Sequence, residues 1–407
     1  MSGFFTREEI PINNQINRVS CERCGLHLKC RNPKIEMSGE GKKGIHVILD
    51  SPSNSDDEKG LHLSGKSGKF LIAALKKLKI DARKDCTFDY AVRCMPPKGE
   101  ATKMHVEACT GKMWENLLEV KPKVILLFGN NALESFLKPR WVSTVGEMAT
   151  WRGFAIPDRT VKAWVCPMYS PKFVTMNDKH PVLKQITQDD LSYAIKHINI
   201  EFPEYIDERQ QIRILNDEES QVRWLKTLYE KSLVSETVLA VDYETTGLKP
   251  HALGHQIACI SMCYDENEAV SMWYPSMTPV ARRWVKKILT SSKILKVAHN
   301  IKYEIAWTKN ILGYDLHPTT YCSMQAAHVI DNRPSIVGLK FQSYVYFGLM
   351  NYEAHIHPFL ESEGGGNSFN NVFKAPRTEL QIYNGIDSLT QIRLVNKQLQ
   401  ETAYALY

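Results

Sequence analysis

Asp242 and Glu244 stand two residues apart at the end of the apolar run TVLAVDYETTGL (237–248). Alternate side chains of a strand share a face, so both carboxylates point the same way. Two like charges so placed repel each other unless cations lie between them. Tyr383 and Asp387 are four apart in YNGIDSL, which puts them on one face of a helix. Glu304 lies near the start of the helix expected after KILKVAHN (293–300). One strand and two helices thus suffice to gather four carboxylates and a phenol. Two divalent ions held by such a cluster clamp the attacking and leaving oxygens of a phosphodiester. Mg²⁺ or Mn²⁺ suits an all-oxygen ligand set, and the phenol is placed to orient the attacking water. A lone Asp-x-Glu on a strand is usually surface charge, but three ordered motifs point to a site.

The cysteines offer a second chemistry. Of ten, seven precede residue 170. Cys21 and Cys24 form a CxxC pair, and Cys94 and Cys109 follow with fourteen residues between them. Four thiolates suit a zinc ion or an iron–sulfur cluster; the plainer alternative is four buried small apolar residues. Disulfides are not expected in an intracellular chain. A third pattern, Gly60 to Ser67, satisfies GxxxxGK[ST]. A phosphate loop leaves its strand directly, whereas here the strand ends near Leu49 and Asp56, Asp57 and Glu58 intervene, so ATP or GTP binding is not expected.

These residues need elements to position them. GIHVILD (44–50) and PKVILLFG (122–129) read as buried strands, and KFLIAALKKLKI (69–80) and NNALESFL (130–137) as helices, an α/β alternation. Residues 199–215 are polar and read as an irregular linker, with a second domain from about Ile212. There LNDEESQVRWLKTLYEKS reads as a helix, and residues 237–248, 256–265, 269–275 and 293–300 as strands. Thr278-Pro279 caps a helix, and Thr378 with Gln381 reads as a capping box for the last one. ESEGGGNSFNN (361–371) reads as a flexible loop. Gly385 within the last helix costs about 1 kcal/mol relative to alanine, which marks close packing against substrate or a neighbouring strand.

A chain of 407 residues accommodates two domains. Residues 1–200 carry 31 Lys and Arg against 22 Asp and Glu, whereas the remainder carries 20 against 23. The basic half suits a polyanion or is plain solvated surface; the acidic half needs cations if it is to handle nucleic acid. No apolar run reaches membrane-span length, and MSGFFTREEIPINNQ lacks the layout of a signal peptide. A soluble cytoplasmic protein is expected.

DYETTGL, HNIKYE (299–304) and YNGIDSL (383–389) resemble the three motifs of the DEDD exonucleases in their tyrosine form. AAHVID (326–331) and GLKFQSY (338–344) fit the stretch between motifs two and three in the proofreading domain of family A DNA polymerases. The resemblance covers residues 212–400 and implies a ribonuclease H-like mixed sheet. It implies that Asp242, Glu244 and Asp387 hold the first metal ion and that Asp242 bridges to the second. Tyr383 would position the nucleophilic water, and Thr245, Leu248 and Asn300 would contact the 3′-terminal nucleotide of DNA. The family's second motif ends in aspartate; Glu304 stands here, one methylene longer, with reach to a metal directly or through water.

CERCGLHLKC, GLHLSGKSGKFL, AVRCMPPKGEATKMHVEAC and KPKVILLFGNNA resemble the family 4 uracil-DNA glycosylases over residues 18–200. That resemblance implies an α/β domain with a [4Fe–4S] cluster on Cys21, Cys24, Cys94 and Cys109, zinc being the alternative; Cys30, Cys86 and Cys166 read as packing residues. The catalytic pattern departs from the family's. The water-activating stretch is Leu49-Asp50-Ser51-Pro52-Ser53, Tyr90 replaces the uracil-reading asparagine, Leu63 replaces the stacking phenylalanine, and Ser170-Pro171 stands for His-Pro. Uracil recognition needs an amide and a ring, so this domain is expected to hold DNA rather than excise bases.

The combined resemblance is to the amino-terminal part of bacteriophage family A DNA polymerases. The expected organisation is a glycosylase-like domain (1–200), a linker (201–211) and an exonuclease domain (212–407). The expected activity is Mg²⁺- or Mn²⁺-dependent 3′–5′ removal of nucleotides from single-stranded or mismatched DNA ends, beside a polymerase subunit or domain. The competing readings are a stand-alone DNA or RNA exonuclease and a non-catalytic DNA-binding or processivity module.

Overall fold

A computed structural model describes residues 21–362, 364 and 368–405. The amino-terminal stretch screened for a signal peptide lies outside the described residues, as do residues 363 and 365–367 of the glycine loop. The chain forms two compact units, one up to Pro203 together with Tyr344–Asn351, the other Glu204–Ser343 together with residues from Tyr352 onward. Among the described residues, no helix is long and apolar enough to cross a membrane.

The first unit is built on five strands: β1 (Ile45–Leu49), β2 (Cys86–Tyr90), β3 (Val124–Phe128), β4 (Ile156–Asp158) and β5 (Ala163–Met168). Their order is β2-β1-β3-β5-β4, parallel but for β4. Every residue of β1 and β3 is buried, as continuous apolar strands covered on both faces must be. The helix Lys66–Lys77 lays Leu71, Ala74 and Leu75 onto this sheet and keeps its lysines outward. β4 brings Asp158 into the interior, where Arg140 and the Tyr344 hydroxyl neutralise it at 2.9 and 2.6 Å. The unit therefore recruits the segment Tyr344–Asn351, which lay inside the expected second domain.

The second unit contains β6 (Ile212–Leu215), β7 (Thr237–Thr245), β8 (Ile257–Asp265), β9 (Glu268–Trp273), β10 (Ile294–Ala298) and β11 (Thr319–Cys322). The order is β11-β10-β7-β8-β9-β6. β7, β8 and β9 are antiparallel neighbours, while β10, β11 and β6 pair in parallel. Asp217 and Thr278 cap the helices Glu218–Val234 and Pro279–Leu289 through their side chains. The 29-residue helix Arg377–Ala405 packs along β7, β8 and β9. Two hydroxyls pin it: Ser261 donates to the Asn384 carbonyl at 2.8 Å, and Ser271 donates to the Asn384 side chain at 3.0 Å.

Two expectations are corrected. Residues 199–215 are not irregular throughout: Ile212–Leu215 is the edge strand β6, paired with β9, and Glu208–Gln211 is a 3₁₀ turn whose Glu208 and Gln211 are buried against Arg393. Buried polar partners made that stretch look solvent-facing. Thr378 does not open the last helix, which begins at Arg377; Gln381 accepts from Arg377 at 3.3 Å and donates to the Ser271 carbonyl at 3.4 Å.

Candidate functional site

β7 carries Asp242 and Glu244 on one face, and the last helix crosses that face so that Asp387 meets them. One oxygen from each of Asp242, Glu244 and Asp387 lies within 4.8 Å of the others, the one such group among the described residues. The Glu304 carboxylate stands outside that trio, 2 % exposed, with Oε2 buried and without a hydrogen-bond partner. Burial pushes the Asp242 and Glu244 carboxyls up; the charge of Asp387 pushes both further, and that of Asp242 adds to Glu244. Burial raises Glu304 as well, with Asp242 adding to it. An orphaned carboxylate oxygen and mutually repelling neighbours are what a divalent cation would satisfy, so the donor set fits Mg²⁺ or Mn²⁺.

The surrounding contacts hold these oxygens in place. Asp242 accepts from Asn384 Nδ2 at 2.8 Å and from Gln391 Nε2 at 3.0 Å. Asp387 Oδ1 accepts from Lys340 Nζ at 2.6 Å and from the Tyr352 hydroxyl. Tyr383 is buried beside Asp387 and Glu244, whose charges add to burial in raising its phenol well above the usual range. Sequence reasoning missed Lys340, Tyr352, Asn384 and Gln391. Only Asn384 and Gln391 carried a local signal, one turn either side of Asp387 on its helix.

Of the three expected nucleotide contacts, Thr245 and Leu248 lie at and just past the end of β7, and Asn300 lies just past β10. Thr245 follows Glu244 at a register shift in β7 and bonds the Tyr303 hydroxyl and the Gly247 carbonyl. Leu248 is 65 % exposed. Asn300 turns the chain from β10 into the helix Lys302–Trp307 with φ +67°, a left-handed value that asparagine tolerates.

Residues 42–192 match the uracil DNA glycosylase superfamily, and residues 212–355 match a 3′–5′ exonuclease family of the DNA polymerase A type. The chain joins a uracil-DNA glycosylase superfamily domain to a 3′–5′ exonuclease domain. It is 28 % identical to a type-4 uracil-DNA glycosylase of Pyrobaculum aerophilum over 178 residues, 42 % of this chain and 87 % of that one. It is 22 % identical to a DNA polymerase of Bacillus phage SP01 over 332 residues, 75 % of this chain but 34 % of the polymerase. Among solved structures, Escherichia coli RNase D aligns with a TM-score of 0.37 at 14 % identity, over 47 % of this chain and 45 % of that chain. Brucella melitensis NrnC with bound Mg²⁺ aligns with a TM-score of 0.32 at 17 % identity, over 47 % and 81 %. The chain thus spans about a third of the phage polymerase and less than half of RNase D.

In the glycosylase-like domain Tyr90 and Leu63 are both buried. His62 stacks on Tyr90, ring centroids 4.4 Å apart, and its Nδ1 lies 2.9 Å from Ser38 Oγ. Leu63 is buried at φ +63°. Asp50 ends β1 and accepts from the Asn131 amide at 2.9 Å, at the start of the helix Asn130–Leu137. Burial raises its carboxyl to about 6. The GxxxxGK[ST] segment cradles a carboxylate of its own: Asp56 accepts from the Ser64 amide at 2.7 Å, and the helix Asn54–Lys59 separates the segment from β1.

Cys21, Cys24, Cys94 and Cys109 line one cavity of about 210 Å³, with Lys34, Arg93 and Lys112 also on its wall. Cys94 Sγ accepts from the Lys34 amide at 3.2 Å. Burial pushes the Cys94 thiol up to about 12 and raises Cys109. Cys86 and Cys166 are core residues, as expected. Cys30 is half-buried, packs against the hydrophobic cluster that contains Cys94 and lies off the cavity wall, in keeping with a packing role.

Proposed function

We propose that the exonuclease domain removes nucleotides from DNA 3′ ends by divalent-metal hydrolysis. The observation that carries this reading is the Asp242–Glu244–Asp387 trio, with the orphaned oxygen of Glu304 beside it. In this reading Asp242, Glu244 and Asp387 hold one Mg²⁺ or Mn²⁺, and Asp242 and Glu304 hold a second, directly or through water. When bound, the ions activate the attacking water and offset the charge that gathers on the departing oxygen. Asn384 and Gln391 fix Asp242, and Tyr352 fixes Asp387, so the ligands are oriented before substrate arrives. Tyr383 orients the attacking water. Thr245, Leu248 and Asn300 seat the 3′-terminal nucleotide.

The glycosylase-like domain is read as a DNA-holding module. Tyr90, stacked on His62, stands in this reading where an amide would be needed to read uracil, and a basic composition favours a polyanion. Its four cysteines, which line one cavity, are read as the ligands of a [4Fe–4S] cluster, with zinc the alternative. The likeness to the phage polymerase supports a polymerase subunit or domain as partner.

The test is digestion of a 5′-labelled, 3′-mismatched primer–template with Mg²⁺ or Mn²⁺. Stepwise shortening that disappears in Asp242→Ala/Glu244→Ala protein is expected. No shortening with either ion, in protein that still binds the DNA, would sink the catalytic reading.

A further inference from the structure

Lys340 has no part in the chemistry above, yet it reaches into the site. Its Nζ lies 2.6 Å from Asp387 Oδ1 and over the rings of Tyr352 and Tyr383, 3.9 and 4.5 Å from their centroids. Among the described residues, Asp387 is its sole hydrogen-bond partner. An ammonium has three N–H groups, and aromatic faces hold a cation without consuming any of them. Two donors are therefore unspent, on a side chain 30 % exposed. Asp387 does not depend on Lys340 for its orientation, because the Tyr352 hydroxyl donates to the same Oδ1.

Charge balance points to what those donors meet. Asp242, Glu244, Glu304 and Asp387 together offset two divalent ions. The phosphodiester of an incoming strand then adds a negative charge with no partner among these groups. A cation held over the rings of Tyr352 and Tyr383 supplies one, at a charge-assisted hydrogen bond's strength, where charge gathers during phosphoryl transfer.

We propose that Lys340 is a further catalytic residue of the exonuclease domain, whose ammonium donates to a phosphate oxygen of the 3′-terminal nucleotide. The assignment rests on the exonuclease reading, and it distinguishes Lys340 from a residue that only steadies Asp387. A steadying residue acts through the metal; a phosphate donor acts on the nucleotide after the metal is in place.

The experiment measures two equilibria by calorimetry on the full chain: Mn²⁺ uptake without nucleotide, then binding of thymidine 5′-monophosphate at saturating Mn²⁺. In Lys340→Met, Mn²⁺ uptake should be unchanged or tighter, because a neighbouring positive charge is gone. Nucleotide binding should weaken about tenfold, the order of one hydrogen bond to a charged group, and Lys340→Arg should recover part of it. Nucleotide affinity within twofold of wild type, or a loss that only follows weakened Mn²⁺ uptake, would overturn the assignment. Asp242→Ala/Glu244→Ala protein separates the two claims: if wild type takes up no more Mn²⁺ than this variant, the metal reading has failed, and the role of Lys340 falls with it.

Discussion

The imidazole of His62 lies nearly parallel to the ring of Tyr90, the planes 15° apart and the centroids 4.4 Å apart. In the reading proposed above, Tyr90 replaces the uracil-reading asparagine of the family 4 glycosylases, and base excision is not expected. Incubation with a single-stranded uracil-containing oligonucleotide, followed by alkali, should leave strand scission at background. Tyr90→Ala should destabilise the domain by about 3 kcal/mol, the cost of emptying a buried aromatic site, measured by denaturant unfolding.

Tyr383 sits against Asp387 and Glu244 without joining the carboxylate trio. Tyr383→Phe keeps the ring and removes the hydroxyl. The rate of 3′ shortening should fall by about 10²-fold, the order of a positioned proton-handling group, while Mn²⁺ affinity stays at the wild-type value. A fall in both would reassign the phenol to metal binding.

Glu304 keeps one oxygen buried and unpaired. Glu304→Gln replaces a buried carboxyl with a neutral amide, which is cheaper to desolvate than a charge. With chelator present, the melting temperature of the variant should rise by about 2 °C or more, while its Mn²⁺-dependent rate falls by about 10²-fold. An unchanged rate would remove Glu304 from the site.

The cysteine cavity separates ligand from neighbour. Protein reconstituted without oxygen should hold about four irons per chain and show the visible absorption of a cluster. Cys94→Ser should lose both, whereas Cys30→Ser should keep them, because Cys30 is off the cavity wall. Iron retained in Cys94→Ser would show that Cys30 substitutes.

Asp50 gives a pH test. Its folded carboxyl is raised from 3.8 to about 6 by burial. A raised carboxyl destabilises the fold progressively as pH climbs from about 4 to about 6, and by a constant amount above that. Asp50→Asn removes the penalty and keeps an acceptor for the Asn131 amide. The variant should be more stable than wild type at pH 8 by about 1 to 2 kcal/mol, and no more stable at pH 4. Equal stabilities at both values would place the native carboxyl at its ordinary acidity.

The motif carboxylates were legible because their geometry is local: two residues along a strand, or four along a helix, fix a shared face. Lys340 and Tyr352 were not, since each reaches Asp387 through the tertiary fold from a stretch with no catalytic pattern. β2 was overlooked because CTFDY buries Asp89, whose charge is met by Asn116 from a distant helix. β5 was overlooked because Pro167 interrupts it in a strand paired on both sides, where proline is rare. Residues 212–215 read as linker because four residues are too few to show an alternation beside a polar run.

Gly385 was ambiguous as a sequence feature, and the fold resolves it. A Cβ there would come within 2.4 Å of Ile212 Cγ2, so the glycine lets the last helix lie close against the edge strand. That divides the third motif into two kinds of inheritance. A descendant that abandoned nuclease chemistry would be free to lose Asp387, yet would still be obliged to keep the glycine for as long as it kept this shape. The glycine is thus a marker of ancestry, and the carboxylate a marker of trade.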